Sequence, residues 1–405
     1  MKVLLVGSGG REHSLAWKLA QSPRFEELHA APGNPGIARL GDCHPVRPVD
    51  VEGLLGLCSS LAIDLVVLGP EIPVVAGVAD ALRHAGVAVF GPSREAARLE
   101  GSKSFAKEVM AAAGVPTAET FSVARVPCVV KADGLAAGKG VFVCRTQEEL
   151  DAALPAAAAH GGPLVIEELL EGEELSLFAL CDGRNAVALA PAQDFKRVGD
   201  GDTGPNTGGM GSYSPVPGFG LPEIDELLET VHRPVLAELA ARGTPFVGLL
   251  YAGLMLTDAG ARVLEFNCRF GDPETQSILP RLEGDLLGAL WEVATGDLRS
   301  GPAAGDTGAV TVVLAAGDYP AGTDSGSPIA GIEEAEAGGA LVFHAGTALR
   351  GETVVTNGGR ILNVVGLGED VSAARAAAYE AVERISFEGM RYRTDIAAKA
   401  EHVRT

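Results

Sequence analysis

Four short apolar runs, at residues 3–6, 28–31, 65–68 and 87–90, have helix-periodic stretches such as 15–19 and 78–82 set between them. Parallel strands need a crossover between them, and a helix supplies it. This alternation therefore predicts an open parallel α/β sheet flanked by helices. The turn-rich segments 7–11, 32–36, 69–73 and 91–93 then fall at the carboxyl ends of the strands, where such sheets hold their ligands. At 405 residues the chain exceeds one ordinary core, so two to four domains are expected.

Beyond residue 100 the pattern changes. A helix is expected over 102–113, stopped by Gly114 and Pro116. Strands at 129–131 and 141–144 flank a glycine-rich tip, and another is expected at 164–168. Ala-rich 152–159 reads as plain helix, and 193–214 as a polar, glycine-rich ligand loop. Residues 251–256 and 262–267 form a hairpin turning at 258–260. After a linker at 301–305, strands at 310–314, 341–344 and 361–365 and a helix near 373–385 make a smaller α+β domain.

A net charge of −21 argues against sequence-independent nucleic-acid binding, which needs a basic footprint. No apolar stretch approaches the roughly 20 residues that cross a bilayer, and residues 1–6 suit a first strand better than an export signal. A cytoplasmic location and no membrane partner are the expectation. The six cysteines include no Cys-x-x-Cys pair and are expected as free, buried thiols.

Four segments carry chemistry. In Gly7-Ser8-Gly9-Gly10-Arg11-Glu12-His13 a strand meets a helix through glycines, as in dinucleotide-binding folds. Glu12 occupies the third glycine position, however, and 30–36 has no acidic residue for a ribose. What remains is a tight turn or a phosphate-monoester site, with Gly9 and Gly10 amides, a helix N-terminus and Arg11. His13 reads as an ordinary helix residue. In Lys131-Ala132-Asp133-Gly134-Leu135-Ala136-Ala137-Gly138-Lys139-Gly140 the spacing is wrong for a P-loop, and a strand follows. This is a hairpin tip whose small residues let backbone amides approach phosphates while Lys131 and Lys139 add charge.

Strand alternation in 262–274 puts Glu265 and Asn267 on one face, with Leu264 and Phe266 on the other. A carboxylate and an amide oxygen so placed can share one Mg²⁺, and Arg269 just beyond can hold a carboxylate or acyl phosphate. Finally, Gln193-Asp194-Phe195-Lys196-Arg197 and the glycine-rich 202–211 suit a loop closing over a polar ligand.

These segments, in this order, resemble the glycinamide ribonucleotide synthetase family of ATP-grasp ligases. The resemblance adds Gly69-Pro70-Glu71, Leu99-Glu100-Gly101-Ser102-Lys103, His344-Ala345-Gly346-Thr347 and Thr356-Asn357-Gly358-Gly359-Arg360, and it covers essentially the whole chain. It implies an N-terminal α/β domain over 1–101, an ATP-grasp domain over 102–300 with a small lid at about 117–172, and a C-terminal α+β domain over 301–405. It also implies ligation of glycine to 5-phosphoribosylamine with ATP and Mg²⁺ or Mn²⁺. A monomer is the expectation.

Carried over, Lys103, Lys131, Gly134 and Gly138 would meet ATP phosphates. Glu167, Glu168 and Leu169 would meet the adenine edge and Glu174 the ribose. Glu265 and Asn267 would bind the metal, with Arg269 and Lys139 as catalytic residues. Gly9, Gly10, Arg11, Glu71, Asp194, Lys196, Asn206, Gly208 and Gly209 would bind substrate. The stretches 121–129 and 144–164 are shorter than is usual in that family, and Phe195 stands where many members have His or another aromatic, which removes a general base there. A bicarbonate-activating ATP-grasp enzyme, a non-catalytic nucleotide sensor and a dinucleotide-dependent oxidoreductase are the rivals.

Overall fold

The computed structural model describes residues 1–135 and 140–400. Strands β1 (Lys2–Gly7), β2 (Glu27–Pro32), β3 (Asp42–Cys43), β4 (Leu65–Leu68) and β5 (Ala88–Phe90) form one sheet in the order β3-β2-β1-β4-β5. Every pairing in it is parallel. Val3 to Val6 are fully buried, as strands covered by helices on both faces must be. The order reverses between β1 and β4, so the loops after these two strands part and leave a crevice. Helix α1 (Gly10–Leu19) begins in that crevice. Glu12 fills the space between the loops, and a Cβ at Gly7 or Gly69 would collide with its side chain.

Helix α2 (Lys103–Ala113) is capped by Ser102, whose hydroxyl accepts the Phe105 N–H, and it stops at Gly114 with φ +69°. Strands β6 (Cys128–Ala132), β7 (Val141–Cys144) and β8 (Leu164–Glu168) then make an antiparallel sheet with β6 in the middle. Helix α3 (Gln147–Ala158) covers it, joining Leu150, Ala153 and Ala157 to Cys128, Val130 and Cys144 in a separate core. Phe121, Ala124 and Val126 pack against this core, so the short 121–129 stretch still seals the small lid.

A third sheet, antiparallel, is built from β9 (Glu173–Asp182), β10 (Ala186–Ala188), β15 (Val247–Thr257) and β16 (Gly260–Asn267) in the order β10-β9-β15-β16. Residues 193–214, expected as a loop, are structured instead. They hold β11 (Gln193–Asp194), a hairpin of β12 (Arg197–Gly199) and β13 (Thr203–Asn206), and β14 (Gly211–Ser214). Strands this short show no alternation to read, and pairing with one another and, through β14, with a distant strand satisfies their backbone groups.

The hairpin tip is latched by the C-terminal segment. Arg393, 1 % exposed, donates to Asp202, to Asp395 and to the carbonyl of Arg197. Asp395 in turn accepts the Gly201 N–H at 2.8 Å.

The C-terminal sheet runs β11-β14-β17-β19-β18, where β17 is Gly308–Ala315, β18 Leu341–His344 and β19 Arg360–Gly368. Helix α4 (Val371–Val382) packs on it. The expected strands and helix are present, but two of the five strands come from residues 193–214, so this sheet is not self-contained. His13 links it to the first domain. Burial holds that imidazole well below its usual pKa, so it is neutral, and its Nδ1 accepts the His344 N–H at 2.8 Å. All six cysteines are free, and Cys43 departs from expectation by being exposed, because it lies on a two-residue edge strand. Among the described residues no helix is long and apolar enough to cross a membrane.

Candidate active site

A cleft of about 1120 Å³ lies between the lid sheet, the β9-β15-β16 face, the β11–β13 segment and the loops of the first domain. At the lid end, Lys131 projects from the middle strand β6 and is 7 % exposed. It donates to the carbonyl of Leu264 at 3.0 Å and pairs with Glu167. Lys103, the first residue of α2, donates to the carbonyl of Gly134 at 2.9 Å, and its own N–H donates to Asp133 Oδ1. Burial lowers the Lys103 pKa, although Glu265 and Asp133 pull the other way. Two ammonium groups thus meet at the foot of the glycine-rich tip. Gly138 and Lys139 themselves lie outside the described residues.

Leu264 was expected on the face opposite Glu265. Instead β16 bulges there: Val263 pairs with Leu254 and Glu265 with Gly253, leaving Leu264 as an extra residue in the cleft wall. A bulge shifts strand parity, which alternation alone cannot show. It precedes both metal candidates, so Glu265 and Asn267 keep their regular register opposite Gly253 and Tyr251 and share a face.

The Glu265 side chain makes no hydrogen bond or ion pair with another described residue. Burial pushes its carboxyl up, but Lys196, Lys131, Lys103 and Arg269 outweigh that and hold it below the usual range. Among the described residues, Asn267 Oδ1 accepts only the Arg269 guanidinium, at 3.2 Å. An ionised carboxylate with open lone pairs beside an amide oxygen fits a hard divalent cation. Among the described residues, no three His, Cys, Asp or Glu side chains are grouped to cage one. Two protein oxygens, with the remainder from phosphate and water, is the Mg²⁺ habit.

Arg269 closes this end. Its guanidinium lies 3.1 Å from Glu100 and 3.5 Å from Glu71, and donates to the Phe270 carbonyl at 3.2 Å. Glu71 also faces Arg11 at 3.9 Å, and these two guanidinium groups overcome burial to keep its carboxyl ionised. Across the cleft Lys196 pairs with Glu174 at 2.6 Å. Asp194 beside them is pushed up to about 8, by burial and by Glu274, Glu174 and Glu265, against the pull of Lys196.

Most of the expected residues do line this one cleft: Lys103, Lys131, Gly134, Glu167, Glu168, Leu169, Glu174, Asp194, Lys196, Asn206, Gly208, Glu265, Asn267, Arg269, Glu71 and Arg11. Three do not. The Gly9 N–H already donates to Glu12 at 2.5 Å, Gly10 faces Asn363 and Gln276, and Gly209 packs on Pro273. The helix N-terminus expected to offer bare amides is therefore partly capped by its own Glu12. Arg11 is committed too, to Glu12 at 2.6 Å and the Phe270 carbonyl at 3.0 Å.

Three domain models of phosphoribosylglycinamide synthetase match the chain in sequence order: the N domain over residues 1–100, the ATP-grasp (A) domain over 101–275 and the C domain over 309–399. The chain belongs to the phosphoribosylglycinamide synthetase family. Similar relatives include the phosphoribosylamine–glycine ligase of Streptomyces coelicolor, 51 % identical with 99 % of each chain covered. The crystal structure of the Thermotoga maritima phosphoribosylamine–glycine ligase superposes with a TM-score of 0.83 at 37 % identity, over 98 % of this chain and 100 % of that one. The biotin carboxylase domain of the Hydrogenobacter thermophilus 2-oxoglutarate carboxylase shares the fold, with a TM-score of 0.70 at 16 % identity over 99 % and 98 % of the two chains.

Membership of the phosphoribosylglycinamide synthetase family fixes the ATP-grasp architecture and ATP as a reactant. Within it, several wall residues went unread in the sequence. Lys107 follows Lys103 by one helical turn, a spacing that could have suggested a shared face. Glu100, Tyr251 and Glu274 gave no comparable signal. Tyr251 Oη donates to Glu274 at 2.8 Å, 23 residues away. Arg360 reaches in from the C domain, donating to the carbonyls of Gly208 and Asp272 at 2.6 Å and pairing with the Asp272 carboxylate at 3.2 Å.

Proposed function

We propose that this chain joins glycine to 5-phosphoribosylamine with ATP, giving glycinamide ribonucleotide, ADP and phosphate in de novo purine biosynthesis. The observation that carries the reading is the convergence of Lys103, Lys131, Glu265, Asn267 and Arg269 on one cleft of a chain in this family. Glycine carboxylate is a poor electrophile. Attack by one of its oxygens on the γ-phosphorus forms an acyl phosphate and releases ADP. The amine then attacks the carbonyl carbon, and phosphate leaves with the bridging oxygen.

Little covalent work falls to the protein, so placement and charge do most of it. Lys103 and Lys131 hold the phosphate chain from the lid side, and the segment 167–169 frames the base. The Glu167 carboxylate is already taken by lysines and its main chain is paired with Val129 in the sheet, so contacts to the base fall to the residues that follow it. Glu265 and Asn267 fit Mg²⁺ or Mn²⁺, which would neutralise charge on the transferring phosphoryl group. Arg269 orients the reacting carboxylate. Asp194 and Lys196 face it from β11 and the turn that follows, and Arg11 with Glu71 takes the phosphoribosyl end. The lid keeps water from the acyl phosphate.

Glycine labelled with ¹⁸O in its carboxylate is expected to deliver one labelled oxygen to phosphate per turnover, with ADP as the nucleotide product. Label drawn from bicarbonate would make the chain a carboxylase, a reading that has only the shared fold behind it. AMP and pyrophosphate would overturn the mechanism.

Arg11→Ala is expected to raise KM for the phosphorylated amine by roughly ten- to a hundredfold, the worth of one charge-assisted contact of about 1.5–3 kcal/mol. KM for ATP should stay within twofold. Some stability will be lost as well, because buried Glu12 loses its guanidinium partner and keeps, among the described residues, only the Gly9 N–H, so the ratio of the two KM changes is the informative quantity. An equal rise in both would move the first-domain loop to the nucleotide site.

A further inference from the structure

Glu167 is 1 % exposed and stands between two ammonium groups that come from different elements. Lys131 on β6 pairs with one carboxylate oxygen, while Lys107 on α2 lies 2.7 Å from the other, off the line of a hydrogen bond. The two lysines are not held alike. Lys107 also donates to Thr117 Oγ1 at 2.9 Å and to the Ala118 carbonyl at 2.7 Å, so its place is fixed by neutral acceptors as well as by charge. Among the described residues Lys131 has one such bond, to the Leu264 carbonyl.

We propose that Lys107 is a positioning residue that keeps Glu167 paired, so that Lys131 can turn from that carboxylate to the triphosphate when ATP enters. The inference rests on the reading of Lys131 as a phosphate-binding group. A lone ammonium bound to a lone buried carboxylate cannot leave it cheaply, because the carboxylate would remain charged and unpaired away from water. With Lys107 in place, Glu167 keeps a counter-charge throughout, and the second positive charge is surplus. Both phosphate-side residues of α2, Lys103 and Lys107, lie four apart and so face the same way. Lys103 sits under the glycine-rich tip, whereas Lys107 is held one turn deeper, against Glu167. Lys107 acts on ATP only through Lys131.

The test is a nucleotide-binding cycle. Lys107→Met keeps the apolar stem and removes the charge; it is expected to weaken the ATP Kd at least tenfold with KM for glycine within twofold. In a Glu167→Gln background no counter-charge is needed, so adding Lys107→Met there should change the ATP Kd by less than twofold. Support of the fold by Lys107 would not produce that dependence on Glu167. Should Lys107→Met fail to fold, Lys107→Gln retains a donor for Thr117 and Ala118 and is expected to weaken ATP in the same way. An unchanged Kd in Lys107→Met, or equal losses in both backgrounds, overturns the inference while Lys131→Met still loses ATP. If Lys131→Met binds ATP normally, the reading of Lys131 itself fails, and this inference with it.

Discussion

Glu265→Gln is expected to lower kcat by about a thousandfold or more at saturating Mg²⁺, with only a small fall in melting temperature from the lost attraction of Lys196, Lys131, Lys103 and Arg269. The side chain has no hydrogen bond or ion pair to another described residue, and its backbone stays paired with Gly253, so the isosteric amide disturbs no contact. What it removes is the one ionised oxygen donor beside Asn267. A metal that neutralises a transferring phosphoryl group contributes several kcal/mol, and about 4 kcal/mol corresponds to a thousandfold in rate. Thermal unfolding and a Mg²⁺ titration of kcat separate the outcomes. Near-normal turnover at high Mg²⁺ would take Glu265 out of the metal site.

Arg269→Ala should be the most damaging single change, for two separable reasons. Its guanidinium faces Glu100 at 3.1 Å and Glu71 at 3.5 Å, and the Glu100 side chain is only 5 % exposed. Removing one partner of a buried ion pair leaves an uncompensated charge, at a cost of about 3–5 kcal/mol in stability. Turnover should also collapse, because the reacting carboxylate loses its anchor.

The stability loss has a pH signature. Burial already raises the Glu100 pKa above its usual value, against the pull of Arg269, so without that pull it rises further. A carboxyl with a folded pKa above its unfolded one binds more protons when folded, so stability falls as pH rises between the two values. The deficit of Arg269→Ala relative to the native chain should therefore be smaller at pH 5 than at pH 8, read from urea midpoints. Arg269→Lys keeps a charge without the planar fork and should recover stability more than turnover. A deficit independent of pH would mean that Glu100 is not the group left unpaired.

What could be read in the sequence was local. The parallel sheet followed from β-length apolar runs with helices between them, and Glu265 and Asn267 shared a face because two residues of regular strand separate them. Failures came where distant segments meet. Glu100 is tied to the Cys268 N–H across 168 positions, and no periodicity records that. Lys107 looked like any helix lysine until Glu167 arrived from β8. Arg11 carried the right chemistry for an anion, yet the sequence could not show that Glu12 and Phe270 already occupy its Nε and Nη1, leaving Nη2 to face the cleft beside Glu71. The 193–214 segment read as loop because its strands are too short to alternate, and only β14 reveals itself, through its partner β17 about a hundred residues away.

That last pairing bears on how such a chain can be divided. β14 lies directly against β17, with Gly211 opposite Val312 and Ser214 opposite Ala309, and β11 continues the same sheet with Asp194. A cut at residue 301 therefore opens a sheet down its middle, and each fragment is left with a raw edge that invites aggregation. Gene fusion or module exchange at that point would separate Asp194 and Lys196 from the scaffold that aims them. A lineage swapping its last hundred residues must inherit a matching 193–214 segment with them, so the two stretches are expected to travel together through recombination.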